Sequence, residues 1–207
     1  MLSGTAVRLI VSIVAAVFFV GSWVQTGSPS TSLLSLFSTA VLVVSIAVAA
    51  WDKWLWKIPL FQKIASVPRN LSGTWESQLE SFWINPETGR TPEPKTVYVV
   101  IRQTSSSISV VLISDESKSK SSLARVTQED ETWVLHYIYT NVSRLDLRQR
   151  SPIHHGSGVF TAVGDPVKRL DGSYWTDRDS KGRLTLLRRS KHHAGDFEDA
   201  EELFRGA

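Results

Sequence analysis

Two nearly all-apolar runs constrain this chain more than any other feature: Ala6 to Val24, with Arg8 as its one charged residue, and Leu33 to Trp51, with none. Each has 19 residues, and at about 1.5 Å per residue a helix of that length measures roughly 28 Å, close to the hydrocarbon thickness of a bilayer. The reading is a transmembrane hairpin over residues 1–57, with spans at about 6–24 and 33–51 and the connecting loop Gln25 to Ser32. A cleaved signal peptide fits less well, because no small-x-small site follows the first run and a second run begins almost at once.

Charge placement orients such a hairpin. The loop carries no Lys or Arg, whereas Arg8 precedes it and Lys53, Lys57, Lys63 and Arg69 follow. The positive-inside rule then puts both termini on the cytoplasmic side of a bacterial inner membrane, with two spans. Trp51, Trp54 and Trp56, interleaved with Lys53 and Lys57, read as an interfacial anchor. Residues 1–69 account for the net charge of +3: they hold five basic residues and one acidic residue, against 18 basic and 19 acidic in the rest. A strongly basic DNA- or RNA-binding domain is not implied. The absence of cysteine excludes a disulfide framework and any thiolate site.

After a connector at residues 58–69, composition changes. Residues 70–190 are rich in Val, Ile, Thr, Tyr and Trp, with turn residues at short intervals. Eight runs stand out: Gly73–Trp83, Thr96–Gln103, Ser107–Ser114, Ser119–Val126, Thr132–Thr140, Gly158–Val163, Gly172–Arg178 and Arg183–Arg189. No helical stretch separates them, so the fold class is an all-β domain, a closed antiparallel eight-stranded β-barrel, with a sandwich as the other arrangement that hides its edges. Alternation puts Trp75, Leu79 and Trp83 on one face, and likewise Trp133, Leu135, Tyr137 and Tyr139. Residues 191–207 form a charged C-terminal tail, with the acidic run Asp196–Glu202 read mainly as solvated.

No Gly-rich phosphate loop, carboxylate pair or triad spacing appears, so an enzyme is not indicated. His154-His155 and His192-His193 lack the further donors a metal needs, and no cofactor or metal is expected. Between Arg144 and Lys191, 11 basic residues face 5 acidic ones, with Tyr174 and Trp175 among them. Positive charge with aromatic rings suits a ligand bearing both phosphates and bases.

The order of two N-terminal runs, a basic connector, Leu71-Ser72-Gly73-Thr74-Trp75-Glu76, then Leu135, Tyr137, Tyr139 and Asn141 at every second position, His155-Gly156-Ser157-Gly158, Leu170 to Arg178 (LDGSYWTDR) and Gly182 to Leu186 (GRLTL) resembles the two-transmembrane β-barrel effectors of bacterial cyclic-oligonucleotide-based antiphage signalling (CBASS), the CD-NTase-associated family. The resemblance implies a cytoplasmic barrel that senses a cyclic dinucleotide made by a nucleotidyltransferase, assembly into homo-oligomers, and disruption of the lipid bilayer that ends in abortive infection.

Residue types and parity give matching ligand groups. Tyr174, Thr176 and Arg178 share one parity and offer a ring, a hydroxyl and a guanidinium; Tyr137 and Tyr139 offer a second stacking surface, or core filling. Arg102 or Arg125, each on its own strand, is placed to reach the other phosphate. Trp175 and His155 read as structural. The competing readings are a tethered barrel binding an apolar small molecule and a protein scaffold.

Overall fold

The computed structural model describes residues 4–27 and 31–206. The chain divides into two units, Met1–Trp56 and Lys57–Ala207.

The first unit contains α1 (Gly4–Thr26) and α2 (Thr31–Lys53). The rings of Phe18 and Phe37 stack with centroids 4.8 Å apart. The expected transmembrane hairpin is corrected here: among the described residues no helix is long and apolar enough to cross a membrane. The two-span inner-membrane placement with cytoplasmic termini falls with it. Ser12, Gly21 and Ser22 interrupt the first run and Ser35, Ser38, Thr39 and Ser45 the second, and hydrocarbon has to hold each hydroxyl at a cost. The connecting loop falls partly on residues 28–30, outside the described residues. Of the three tryptophans read as a wet anchor, Trp54 is exposed but Trp56 is fully buried.

The second unit opens with a short helix, α3 (Pro59–Gln62), whose Pro59 sits at the first helical position where its missing N–H costs nothing. Gln62 then fixes the connector: its Oε1 accepts from the Asn70 N–H at 2.8 Å and its Nε2 donates to the Pro68 carbonyl at 3.1 Å.

Eight strands follow: β1 (Gly73–Ser81), β2 (Lys95–Gln103), β3 (Ile108–Ile113), β4 (Ser117–Glu129), β5 (Thr132–Ser143), β6 (His154–Val163), β7 (Arg169–Thr176) and β8 (Lys181–Ser190). Each pairs antiparallel with its neighbours and β8 returns to β1, so the barrel is closed, as expected from the strand rhythm. Closure removes the unpaired edges an open eight-stranded sheet would expose. One half of the interior is an apolar core that includes Leu71, Trp75, Val99, Ile101, Val110, Leu135, Phe160, Leu170 and Leu186. Trp75 reaches it with its polar atom satisfied, Nε1 donating to the Leu71 carbonyl at 2.9 Å. Trp83, expected beside Trp75 and Leu79, lies past the end of β1 and is exposed.

The acidic tail is not solvated throughout. It forms α4 (Phe197–Glu202), capped by the Asp196 carboxylate on the Asp199 N–H at 2.9 Å. A helix of six residues is not stable alone. This one is held because Val97–Ile101 is apolar on both faces, and the outward side chains Tyr98 and Val100 need cover. Phe204 stacks on Tyr98 at 5.9 Å, Phe197 meets the same ring edge-on at 5.3 Å, and Ala200 is fully buried.

Candidate functional site

Strand register builds the site row by row. Paired residues in an antiparallel ladder share a face, so inward positions can be followed from strand to strand. At the end of the barrel carrying the β5–β6 and β7–β8 turns, the outermost row is Ser119, Asn141 and His154. The next is Ser121, Tyr139, Gly156 and Thr176. The third is Ala124, Tyr137, Gly158, Tyr174, Gly182 and Ser81. The fourth, Val126, Leu135, Phe160, Gly172, Leu184 and Leu79, is apolar, and its buried members form one core cluster with Tyr137 and Tyr139 of the rows above, which therefore also fill the core. Polarity thus falls row by row from this end toward the middle.

The glycines make the aromatic wall possible. A Cβ at Gly156 would collide with the ring of Tyr139, and one at Gly158 would stand 2.5 Å from Cε1 of Tyr137 and 2.9 Å from Cε2 of Phe160. At Gly182 it would stand 2.7 Å from Cε1 of Tyr174. Each tyrosine ring therefore lies over a bare stretch of the next strand. The rings of Tyr137 and Tyr139 sit 5.3 Å apart and those of Tyr137 and Phe160 5.6 Å apart.

Tyr137 and Tyr139 are 4% and 6% exposed, and among the described residues neither hydroxyl has a hydrogen-bond partner. Although the rings are buried, neither hydroxyl oxygen is sealed from solvent. Burial pushes the Tyr139 hydroxyl up to about 12, reinforced by Tyr174 and Asp177 and opposed by Arg178. Burial, with Tyr139 adding to it, also raises Tyr137. Both are neutral at physiological pH and available as donors. In the outermost row, Asn141 accepts from the Ser119 hydroxyl at 2.7 Å through Oδ1, and its Nδ2 makes no hydrogen bond among the described residues. The His154 ring donates through Nδ1 to the Pro152 carbonyl at 3.0 Å, which leaves Nε2 as an acceptor. Burial lowers its pKa, the Pro152 bond opposes this, and the nearby Arg178 lowers it further.

Arg178 lies in the β7–β8 turn, which Asp179 closes with a φ of 57°. The Thr176 hydroxyl bonds the Ser180 hydroxyl at 2.8 Å and accepts from the Arg178 N–H at 3.3 Å. The neighbouring carboxylate of Asp177 is occupied by the His155 N–H at 3.0 Å. The guanidinium is exposed, its one hydrogen bond is a 3.4 Å contact with the Ser151 hydroxyl, and it has no ion pair among the described residues.

Of the residues singled out in the sequence, Tyr137, Tyr139, Tyr174 and Thr176 share this interior wall and Arg178 stands at its rim. Arg102 and Arg125 are not brought to it. Arg102 points outward from β2 near His193, whose pKa it helps lower after burial, and Arg125 points outward from β4 opposite His136. Sequence reasoning passed over Ser119, Asn141 and His154 and the four interior glycines. Asn141 was within reach, since it continues the inward parity of Leu135, Tyr137 and Tyr139. The pairs of histidines do not converge: His154 faces inward, while His155 faces outward and bonds the Thr140 hydroxyl at 3.1 Å.

Stability should depend on His154. Its proton is held less readily in the folded chain than at the ordinary value of about 6.5, so as pH falls below that value the unfolded chain takes up protons first and stability is lost. Melting temperature is expected to drop between about pH 7.5 and pH 5.5, and His154→Gln to flatten part of that drop; an unchanged slope would contradict the assignment.

The profile of the family described as "Cap15, cyclic dinucleotide receptor domain" matches residues 65–188, more than half of the chain and nearly the whole barrel. A protein of Staphylococcus schleiferi, "CD-NTase-associated protein 15", is 29% identical over 153 residues, covering 74% of this chain and 79% of its own length.

Proposed function

The chain belongs to the Cap15 cyclic dinucleotide receptor family, and from that we propose that it is a CBASS antiphage effector that binds a cyclic dinucleotide in the polar end of its barrel. Such a ligand offers two phosphates, two flat bases and their hydrogen-bonding edges. The barrel end has a counterpart for each: the Arg178 guanidinium, which has no ion pair among the described residues, for a phosphate, the tyrosine wall for stacking, and Asn141 Nδ2 with His154 Nε2 for a base edge. The observation that carries the reading is the set of polar groups that register brings to this end of the barrel with no hydrogen-bond or ion-pair partner for them among the described residues beyond the weak Arg178–Ser151 contact: the Tyr137 and Tyr139 hydroxyls, Asn141 Nδ2 and the Arg178 guanidinium. None of these atoms is sealed from solvent, so a ligand with matching polar atoms would replace water at them.

The ligand would come from a cyclic-nucleotide synthase acting in the same system, and binding would favour an assembled state over the single chain through differential affinity. No catalytic step is proposed. The apolar-ligand alternative is the weaker one, because the apolar half of the barrel is filled by its own side chains.

Thermal unfolding of the full chain against cyclic di-AMP, cyclic di-GMP and cyclic UMP-AMP tests this. A ligand at 100 times its Kd adds about 2.7 kcal/mol, so a selective rise in Tm is expected. Tyr139→Phe should leave the ligand-free Tm unchanged, since the hydroxyl makes no hydrogen bond among the described residues, while reducing the ligand shift. A rise that Tyr139→Phe leaves intact would place the ligand elsewhere.

A further inference from the structure

The outer wall of the barrel carries a second feature that ligand binding does not use. Leu123, Ile138, Ser157, Trp175 and Lys181 are register partners in one continuous row across β4 to β8, all facing outward. Leu123 is 63% exposed, Ile138 47% and Trp175 48%. Trp175 is thus no core residue, contrary to the structural role its strand position suggests. Lys181 ends this row and Lys120 and Arg125 flank Leu123 on β4; all three are exposed and without an ion-pair partner among the described residues. An apolar centre with a charged rim is the usual anatomy of an interface.

Across the barrel lies its electrostatic complement. Helix α4 sits over β2 and β3, about half the ring of strands away from β5 and β6. Its outward face presents Glu198 and Glu202, exposed and unpaired among the described residues, beside Asp199 and Glu201. Two copies meeting through the same basic-rimmed row would set Lys120, Arg125 and Lys181 against themselves, which like-charge repulsion disfavours.

We propose that the Leu123–Ile138–Trp175 row docks the acidic face of α4 from a second copy of this chain, giving a head-to-tail contact. The inference rests on the assembly part of the functional reading and is independent of where the ligand sits. A heterologous contact of this kind leaves one donor face and one acceptor face open at the ends, so assembly continues into rings or filaments.

The cysteine-free chain permits a clean test. Full-length Ile138→Cys and full-length Glu198→Cys are prepared separately, then mixed with a short bifunctional thiol crosslinker, without ligand and with each of the three cyclic dinucleotides. Crosslinked dimers are expected from the mixture and not from either variant alone, and Lys120→Glu with Arg125→Glu in the Ile138→Cys chain should cut their yield by about fivefold or more while Tm stays unchanged. Dimers from Ile138→Cys alone, no dimers from the mixture under any condition, or a yield indifferent to the charge reversal would each overturn the proposal. A Tm shift with ligand alongside failed crosslinking would leave the ligand site standing and remove only this interface.

Discussion

Gly158→Val is expected to destabilise the barrel by about 3 kcal/mol, near the upper end of what overpacking a core costs. The position faces inward on β6, and even a Cβ there comes within 2.5 Å of Tyr137 and 2.9 Å of Phe160. Both rings are themselves buried and packed on each other at 5.6 Å, so neither has somewhere to go. A valine adds two methyl groups beyond that Cβ. Against a typical total stability of about 5–15 kcal/mol, the loss is a large fraction. Urea unfolding of the full chain should show the midpoint for the barrel falling with its slope unchanged. Gly195→Ala is the control, because a Cβ there meets only the Asp199 carboxylate, at 3.8 Å, and its effect should stay within about 0.5 kcal/mol. Equal effects at the two positions would mean that the rings do not depend on the glycine.

Much of the barrel is legible in the sequence because alternation is legible wherever only one face is buried. Leu135, Tyr137 and Tyr139 alternate with His136, Ile138 and Thr140, and the structure places the first set inside. Where both faces are covered the signal is silent. Val97 to Ile101 is apolar throughout because α4 covers the outer side, so nothing in that run tells that Arg102 faces out. Arg125 fails for a different reason. A bulge between Ser121 and Leu123 shifts the register, so residues that share parity with the inward Ser119 and Ser121 point outward after it. The glycines were legible as residues but not as site makers: their role is to leave room for a ring on the neighbouring strand, and that neighbour is known only once the register is known. The two N-terminal runs mislead in another way: each has the length of a span and a mostly apolar composition, yet among the described residues neither helix is long and apolar enough to cross a membrane.

Arg178→Ala is expected to abolish most ligand binding, by about 10- to 100-fold, while leaving the ligand-free fold intact. Hydrogen bonds to charged groups contribute about 1.5–3 kcal/mol, and this guanidinium has little else to hold it: an exposed side chain with one 3.4 Å contact to Ser151. Removing it also removes a cation that disfavours protonation of His154 and one that opposes the raised pKa of Tyr139. The His154 pKa should therefore rise in the variant, visible as a shift in its imidazole titration by NMR, even with no ligand present. Arg178→Lys keeps the charge but loses the two-pronged fork that matches a phosphate, so its affinity should fall between wild type and alanine. Arg102→Ala and Arg125→Ala remove the same charge from the outer wall of the barrel and should bind ligand as wild type does. The comparison separates a phosphate contact from a general field: a loss of affinity common to all three arginines would show that net charge, and not the rim position of Arg178, attracts the ligand.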